Sequence, residues 1–146
     1  MQERIDYQKA SPGAFQAMLG LEKHVHQSGL EPALLELVKT RVSQINGCAF
    51  CLRMHSRDAL AAGECTDRLA VLPGWRETAY FSAKEQAGLA LTEAITHIAD
   101  GQLPDDVYAA AAEQLSPAEI AAIEWLAIVI NMWNRVAITS RYAVAP

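Results

Sequence analysis

No stretch of this chain stays apolar for the ~20 residues that a bilayer crossing requires. The richest run, Ile120 to Met132, is shorter and carries Glu124 and Asn131. The opening Met1-Gln-Glu-Arg-Ile-Asp6 mixes charges with no apolar segment behind it, which does not suit a secretory signal. Repeats and low-complexity tracts are absent, and proline and glycine punctuate the sequence without dominating it, so disorder is not expected. No segment alternates apolar and polar residues for long enough to suggest a sheet. Positive charge is also scarce. The net charge is −5 with a pI near 5.3, and Arg53 with Arg57 makes only a small basic stripe, too little for a nucleic-acid footprint. The three cysteines are too few, and odd in number, for the disulfide framework of a small secreted domain. These absences predict a soluble, cytoplasmic protein with no membrane and no nucleic-acid partner. The length of 146 residues suits one domain, 1–146, around a single core.

What is present is helical periodicity. Phe15, Met18, Leu19 and Val25 recur at helical steps behind Pro12, with Gly29 as the stop. Pro32 opens a second helix with the stripe Leu34, Leu35, Val38, Val42 and Ile45, halted by Asn46-Gly47. A third runs from about Cys48 to Ala62, ended by Gly63, and 66–72 reads as a further short turn. The stretch Pro73 to Ser82 reads as a loop. Ser82 with Glu85 and Ser116 with Glu119 have the spacing of capping boxes. They open helices over about 83–99 and 117–138, with a shorter one near 104–114 between them. The last helix is apolar on more than one face, so part of it is expected to meet another subunit. The fold predicted is an all-α, compact helical bundle.

The third helix carries the chemistry. On a wheel of ~100° per residue, Cys48, Cys51, Leu52, His55, Ala59 and Ala62 share one inward stripe, and Arg53 and Arg57 face away. Cys48 and Cys51 lie one turn apart where a helix begins and where free backbone N–H groups favour a thiolate. The spacing lets one sulfur resolve a mixed disulfide or a sulfenic acid on the other. His55, four residues after Cys51, is placed to take or return a proton. The rival reading of the same residues is a metal site, with Cys65 or His97 as a fourth ligand. Glu36 is ambiguous. The hairpin count brings it towards His55, whereas the wheel groups it with Lys39, Thr40 and Ser43, away from the apolar stripe, as a solvated charge would be. His24, His26, His97 and Cys65 have no spacing that demands a functional role. Trp75, Tyr80 and Phe81 read as buried anchors in a loop, Trp125 and Trp133 as core or interface, with Trp133 also a candidate for a pocket wall.

At Leu35-Glu-Leu-Val-Lys39 and Ser43-Gln-Ile-Asn-Gly-Cys-Ala-Phe-Cys-Leu-Arg-Met-His55 the sequence resembles the alkylhydroperoxidase D group of the carboxymuconolactone decarboxylase-like superfamily. Softer support comes from Arg4-Ile-Asp-Tyr7, Trp75-Arg-Glu77 and Asn131-Met-Trp-Asn-Arg135. The resemblance implies an all-α fold assembled as a trimer or hexamer, and thiol-dependent antioxidant activity on a hydroperoxide or a disulfide, with an external dithiol or protein reductant. It implies Cys51 as the residue that forms the sulfenic acid, Cys48 as its partner, and Glu36 with His55 as a proton relay. No cofactor and no metal are implied. The better-studied members of the group also carry a histidine between the cysteines; this chain has Phe50 there. Two other readings stand beside this one: a zinc-binding or redox-sensing module without turnover, and a carboxymuconolactone decarboxylase-like lyase, which needs no cysteine pair.

Overall fold

The computed structural model describes residues 2–145, and among these every regular element is helical. In chain order they are α1 (Tyr7–Ala10), α2 (Pro12–His26), α3 (Pro32–Asn46), α4 (Ala49–Ala61), α5 (Thr66–Val71), a 3-10 segment (Leu72–Glu77), α6 (Ala83–Thr96), α7 (Ile98–Gly101), α8 (Asp105–Gln114) and α9 (Pro117–Ser140). The two capping boxes form as the sequence predicts. Ser82 and Ser116 each accept from the backbone N–H three residues on, and Glu85 and Glu119 reach back to the cap N–H groups. The predicted loop over 73–82 is corrected in its first half, where Leu72–Glu77 winds into the 3-10 segment. Pro73 suits its first turn, and Trp75 is drawn inward because its indole N–H donates to Glu93 at 3.0 Å. The four-residue α1 is not predicted, since an element that short carries no periodicity, and the helix expected over 83–99 breaks at His97 into α6 and α7.

Helix α3 is the centre of the molecule. It packs against α4, α6 and α9, and burial runs almost all round it: Leu34, Leu35, Leu37, Val38, Lys39, Thr40, Val42 and Ser43 are each buried. The main core joins its Leu34, Val38 and Val42 to Leu91 of α6 and to Ile123, Leu126 and Ile130 of α9. Helix α6 comes in closely because Gly88 has no side chain; a Cβ there would stand 3.0 Å from Leu34 Cδ1. A second cluster, Leu37, Leu72, Trp75, Phe81 and Leu89, closes the far side of α3.

Helix α9 extends to 24 residues, two beyond the sequence reading, and by length and mean hydropathy (1.2) it would suffice to cross a membrane. In this fold half of its most apolar stretch is buried against other helices, and it carries the buried Asn134 at a helix interface. The multi-faced apolarity is thus partly spent on α2, α3, α6 and α8. Trp125 and Ile128, one turn apart, remain about half exposed.

Candidate active site

The link between α3 and α4 sets the position of the cysteines. Gly47 adopts φ +65°, ψ +32°, the left-handed conformation that a side chain resists, and its N–H and that of Cys48 return to carbonyls of the last α3 turn. A polar knot anchors the turn to α9. Asn46 Nδ2 donates to Asn131 Oδ1 (3.0 Å) and Asn134 Oδ1 (2.9 Å), and Asn134 Nδ2 donates to Ser43 Oγ (3.2 Å). Asn134 is fully buried, so its loss strands the Ser43 hydroxyl and leaves Asn46 only its bond to Asn131. Asn134→Ala is therefore expected to cost about 2–3 kcal/mol in a urea melt; a change within experimental error would show that the knot does not hold the turn.

The chain leaves this turn with Cys48 as the N-cap of α4, and Cys48 and Cys51 are joined in a disulfide. Cys48 Sγ accepts the Cys51 backbone N–H at 3.3 Å, so one sulfur sits where the helix start stabilises negative charge. Both residues are almost completely buried, packed with Ala137 of α9 and covered in part by Tyr142. The predicted inward stripe holds at Cys48, Cys51, His55 and Ala59, while Ala62 at its end is exposed; Arg53 and Arg57 face out as predicted.

His55 is 2 % exposed. Burial, then the nearby Lys39 ammonium, then His26, push its imidazole down from an ordinary 6.5 to about 3, so the ring is neutral at physiological pH. Its Nδ1 has no hydrogen-bond partner among the described residues.

Glu36 is the point at which wheel and fold part company. The wheel's polar face of α3 is covered by α4, so Glu36 lies half-buried, beside buried Lys39, Thr40 and Ser43. Lys39 Nζ donates to Glu36 Oε1 at 2.9 Å, while Oε2 has no partner. One oxygen of Glu36, one of Asp58 and a ring nitrogen of His55 all lie within 4.8 Å of one another. The structure therefore brings together all four residues singled out from the sequence, Glu36 against the wheel's indication. It also adds Lys39, which the wheel grouped with Glu36 as part of a wet face and which the motif Leu35 to Lys39 contains without giving it a role.

A cleft of about 290 Å³ opens over Cys51 and His55. Its walls are overwhelmingly apolar: Phe15 and Leu19 of α2, Phe50 and Met54 of α4, Trp133 of α9, and Tyr142. Phe15 stands edge-on to Trp133 with centroids 5.4 Å apart, and Phe50 edge-on to Tyr142 at 5.2 Å. Trp133 thus takes the pocket-wall place weighed for it. Phe15 and Leu19 form a helical stripe as predicted, but it faces this cleft and solvent more than the core. Cys48 borders a separate cleft, on the side of Gly47 and Arg141.

The other candidates stand apart from the cysteine pair. Cys65 is a free thiol exposed at the N-cap of α5, and His97 is exposed with Asp100 at 3.3 Å. Neither completes a cysteine metal site, and Cys48 and Cys51 are bonded to each other. His26 Nδ1 pairs with the Glu22 carbonyl on the surface. Trp75 and Phe81 are buried anchors, as read, while Tyr80 is exposed.

Comparison with known proteins agrees with this fold. Over 138 residues the chain is 37% identical to the uncharacterized protein YdfG of Bacillus subtilis (strain 168), covering 94% of each. A crystal structure of a protein of unknown function from Agrobacterium tumefaciens, suggested to be the antioxidant-defence protein AhpD, superposes with a TM-score of 0.95 at 38% identity over 99% of both chains. An uncharacterized peroxidase-related protein from Silicibacter sp. TM1040 shares the fold at TM-score 0.77 and 19% identity, over 88% of this chain and 68% of that one. The model of the carboxymuconolactone decarboxylase family matches residues 12–94, the span from α2 into α6 that holds the cysteine pair, Glu36 and His55. With that match and the near-full-length relatives, the chain belongs to the carboxymuconolactone decarboxylase family and has an AhpD-like fold.

Proposed function

We propose that this protein is a dithiol–disulfide oxidoreductase that reduces organic hydroperoxides, or the disulfide of a partner, at the Cys48–Cys51 pair. The observation that carries the reading is the disulfide itself, at the start of α4, with Cys51 and a buried neutral imidazole lining the same apolar cleft. A cleft walled by Phe15, Leu19 and Trp133 favours a substrate with an organic tail over one as polar as hydrogen peroxide. The suggested antioxidant role of the Agrobacterium tumefaciens protein points the same way.

In the reduced protein, Cys51 thiolate attacks the distal peroxide oxygen. The O–O bond breaks, the alkoxide leaves as an alcohol after taking a proton, and Cys51 becomes a sulfenic acid. Cys48 attacks that sulfur, a disulfide forms, and the sulfenic oxygen departs as water once protonated. An external dithiol then returns two electrons and two protons by exchange. His55 moves the proton at Cys51, and Glu36, held by Lys39, orients the ring from the other side.

The direct test is steady-state reduction of an organic hydroperoxide by a dithiol donor, compared with a Cys48→Ser/Cys51→Ser double variant. Turnover well above the double variant is the expected outcome. Equal rates, for peroxide and for disulfide substrates alike, would remove the proposal.

A further inference from the structure

The Glu36, His55 and Asp58 cluster has a feature that proton transfer leaves unexplained. Two of its polar atoms, Glu36 Oε2 and His55 Nδ1, are buried and have no hydrogen-bond partner among the described residues. Unsatisfied buried polar groups cost about 1–3 kcal/mol each and are rare without a ligand or an ordered water. His55 and Asp58 are one turn apart on α4, and Glu36 comes across from α3. A histidine and an acid three residues apart on one helix, facing a further carboxylate on the next, is how helical bundles hold metal ions.

We propose that Glu36, His55 and Asp58 form a binding site for a divalent cation of the zinc class, distinct from the cysteine pair. Zinc takes one imidazole nitrogen and two carboxylate oxygens readily, with water as the fourth ligand. Tetrahedral donors lie about 3.4 Å apart, so a cluster spanning up to 4.8 Å closes by at most roughly 1.4 Å. The exposed side chain of Asp58 and the long one of Glu36 supply that movement. Glu36 also lines a polar cleft of about 300 Å³ with Glu64, Arg68 and Glu85, which gives a hydrated ion an aqueous approach away from the apolar one.

Lys39 works against the ion. Its Nζ occupies Glu36 Oε1, leaving Oε2 for the cation, and its charge weakens the site. The arrangement suits a cation that comes and goes rather than a permanent structural metal. A bound ion would also occupy the imidazole nitrogen that faces the carboxylates. The site goes beyond the redox reading, because binding requires no thiol.

The test is calorimetric titration of zinc chloride into the oxidised protein carrying Cys65→Ser, so that no free thiol competes. One equivalent should bind. Asp58→Asn, a change at an exposed position, should weaken it by about tenfold or more, and Lys39→Met should tighten it severalfold. Cobalt in place of zinc should give visible bands without thiolate charge transfer. No binding up to about 1 mM, equal affinity in Asp58→Asn, or a thiolate signature would each overturn the site. The first of these would leave a bridging water as the group that satisfies Glu36 and His55. None of these readouts involves turnover, so their failure is distinguishable from failure of the oxidoreductase reading.

Discussion

Cys51→Ser is expected to lower thiol-dependent hydroperoxide turnover by about three orders of magnitude or more, because a serine hydroxyl at that position is neither a thiolate nor a redox centre. The partner variant separates the roles of the two sulfurs. With Cys48→Ser, the first peroxide should still be consumed, at one equivalent per chain, and Cys51 should then accumulate as a sulfenic acid that a cyclic diketone traps. The assignment rests on position. Cys51 shares the apolar cleft with His55, whereas Cys48 borders a different cleft and has its sulfur on the backbone N–H of residue 51. The sulfur next to the imidazole is the one that can exchange a proton as it reacts. The sulfur at the helix start is the better-stabilised thiolate for the resolving attack. Measured by stopped-flow peroxide consumption and mass spectrometry, the reverse pattern, with trapping at Cys48 in a Cys51→Ser protein, would exchange the two roles. Full activity in both variants would end the dithiol mechanism.

Local chemistry made much of this molecule legible from sequence. The capping boxes at Ser82 and Ser116 and the left-handed stop at Gly47 involve neighbours within three or four residues, so they form whatever surrounds them. The CxxC pair is equally local, since one helical turn brings its sulfurs together. Glu36 and Lys39 were misread by periodicity alone because a helical wheel assumes one wet face, and α3 has none: α4, α6 and α9 surround it. The hairpin count and the resemblance pointed Glu36 to the site, and Lys39 emerges from the packing. The cleft was beyond any local rule. Its walls come from residues 15 and 19, 50, 51, 54 and 55, 133 and 142, which only the tertiary fold assembles. Tyr142 lies past the end of α9, where no pattern tells where the chain goes next. The 3-10 segment at 72–77 was hidden by Pro73 and Gly74, which read as a loop until Trp75 finds Glu93.

His55→Gln should show two effects that a merely packed imidazole would not produce together. The first is in catalysis. Loss of a positioned proton carrier typically costs about 10²–10⁴-fold, and the deficit should lie in kcat/KM for the peroxide rather than in the fold. The second is in acid stability. The folded protein holds this imidazole down to about 3, whereas the unfolded chain titrates it near 6.5. Between those values the unfolded chain binds a proton that the folded one refuses. The contribution of His55 is thus fully present above pH 6.5 and is lost progressively as pH falls towards 3. At about 1.4 kcal/mol per pH unit that loss amounts to a few kcal/mol over the window. Urea melts at stepped pH should therefore show the native protein losing stability more steeply below pH 6.5 than His55→Gln. Parallel curves would mean that the ring is protonated in the fold, which the burial of His55 and the Lys39 charge both oppose. The same two features explain why the imidazole suits its proposed task. A neutral ring beside an ammonium cannot hold a proton idly while the disulfide is closed. Once the disulfide opens, a thiolate on Cys51 offsets the Lys39 charge, and the ring can take the proton and hand it on.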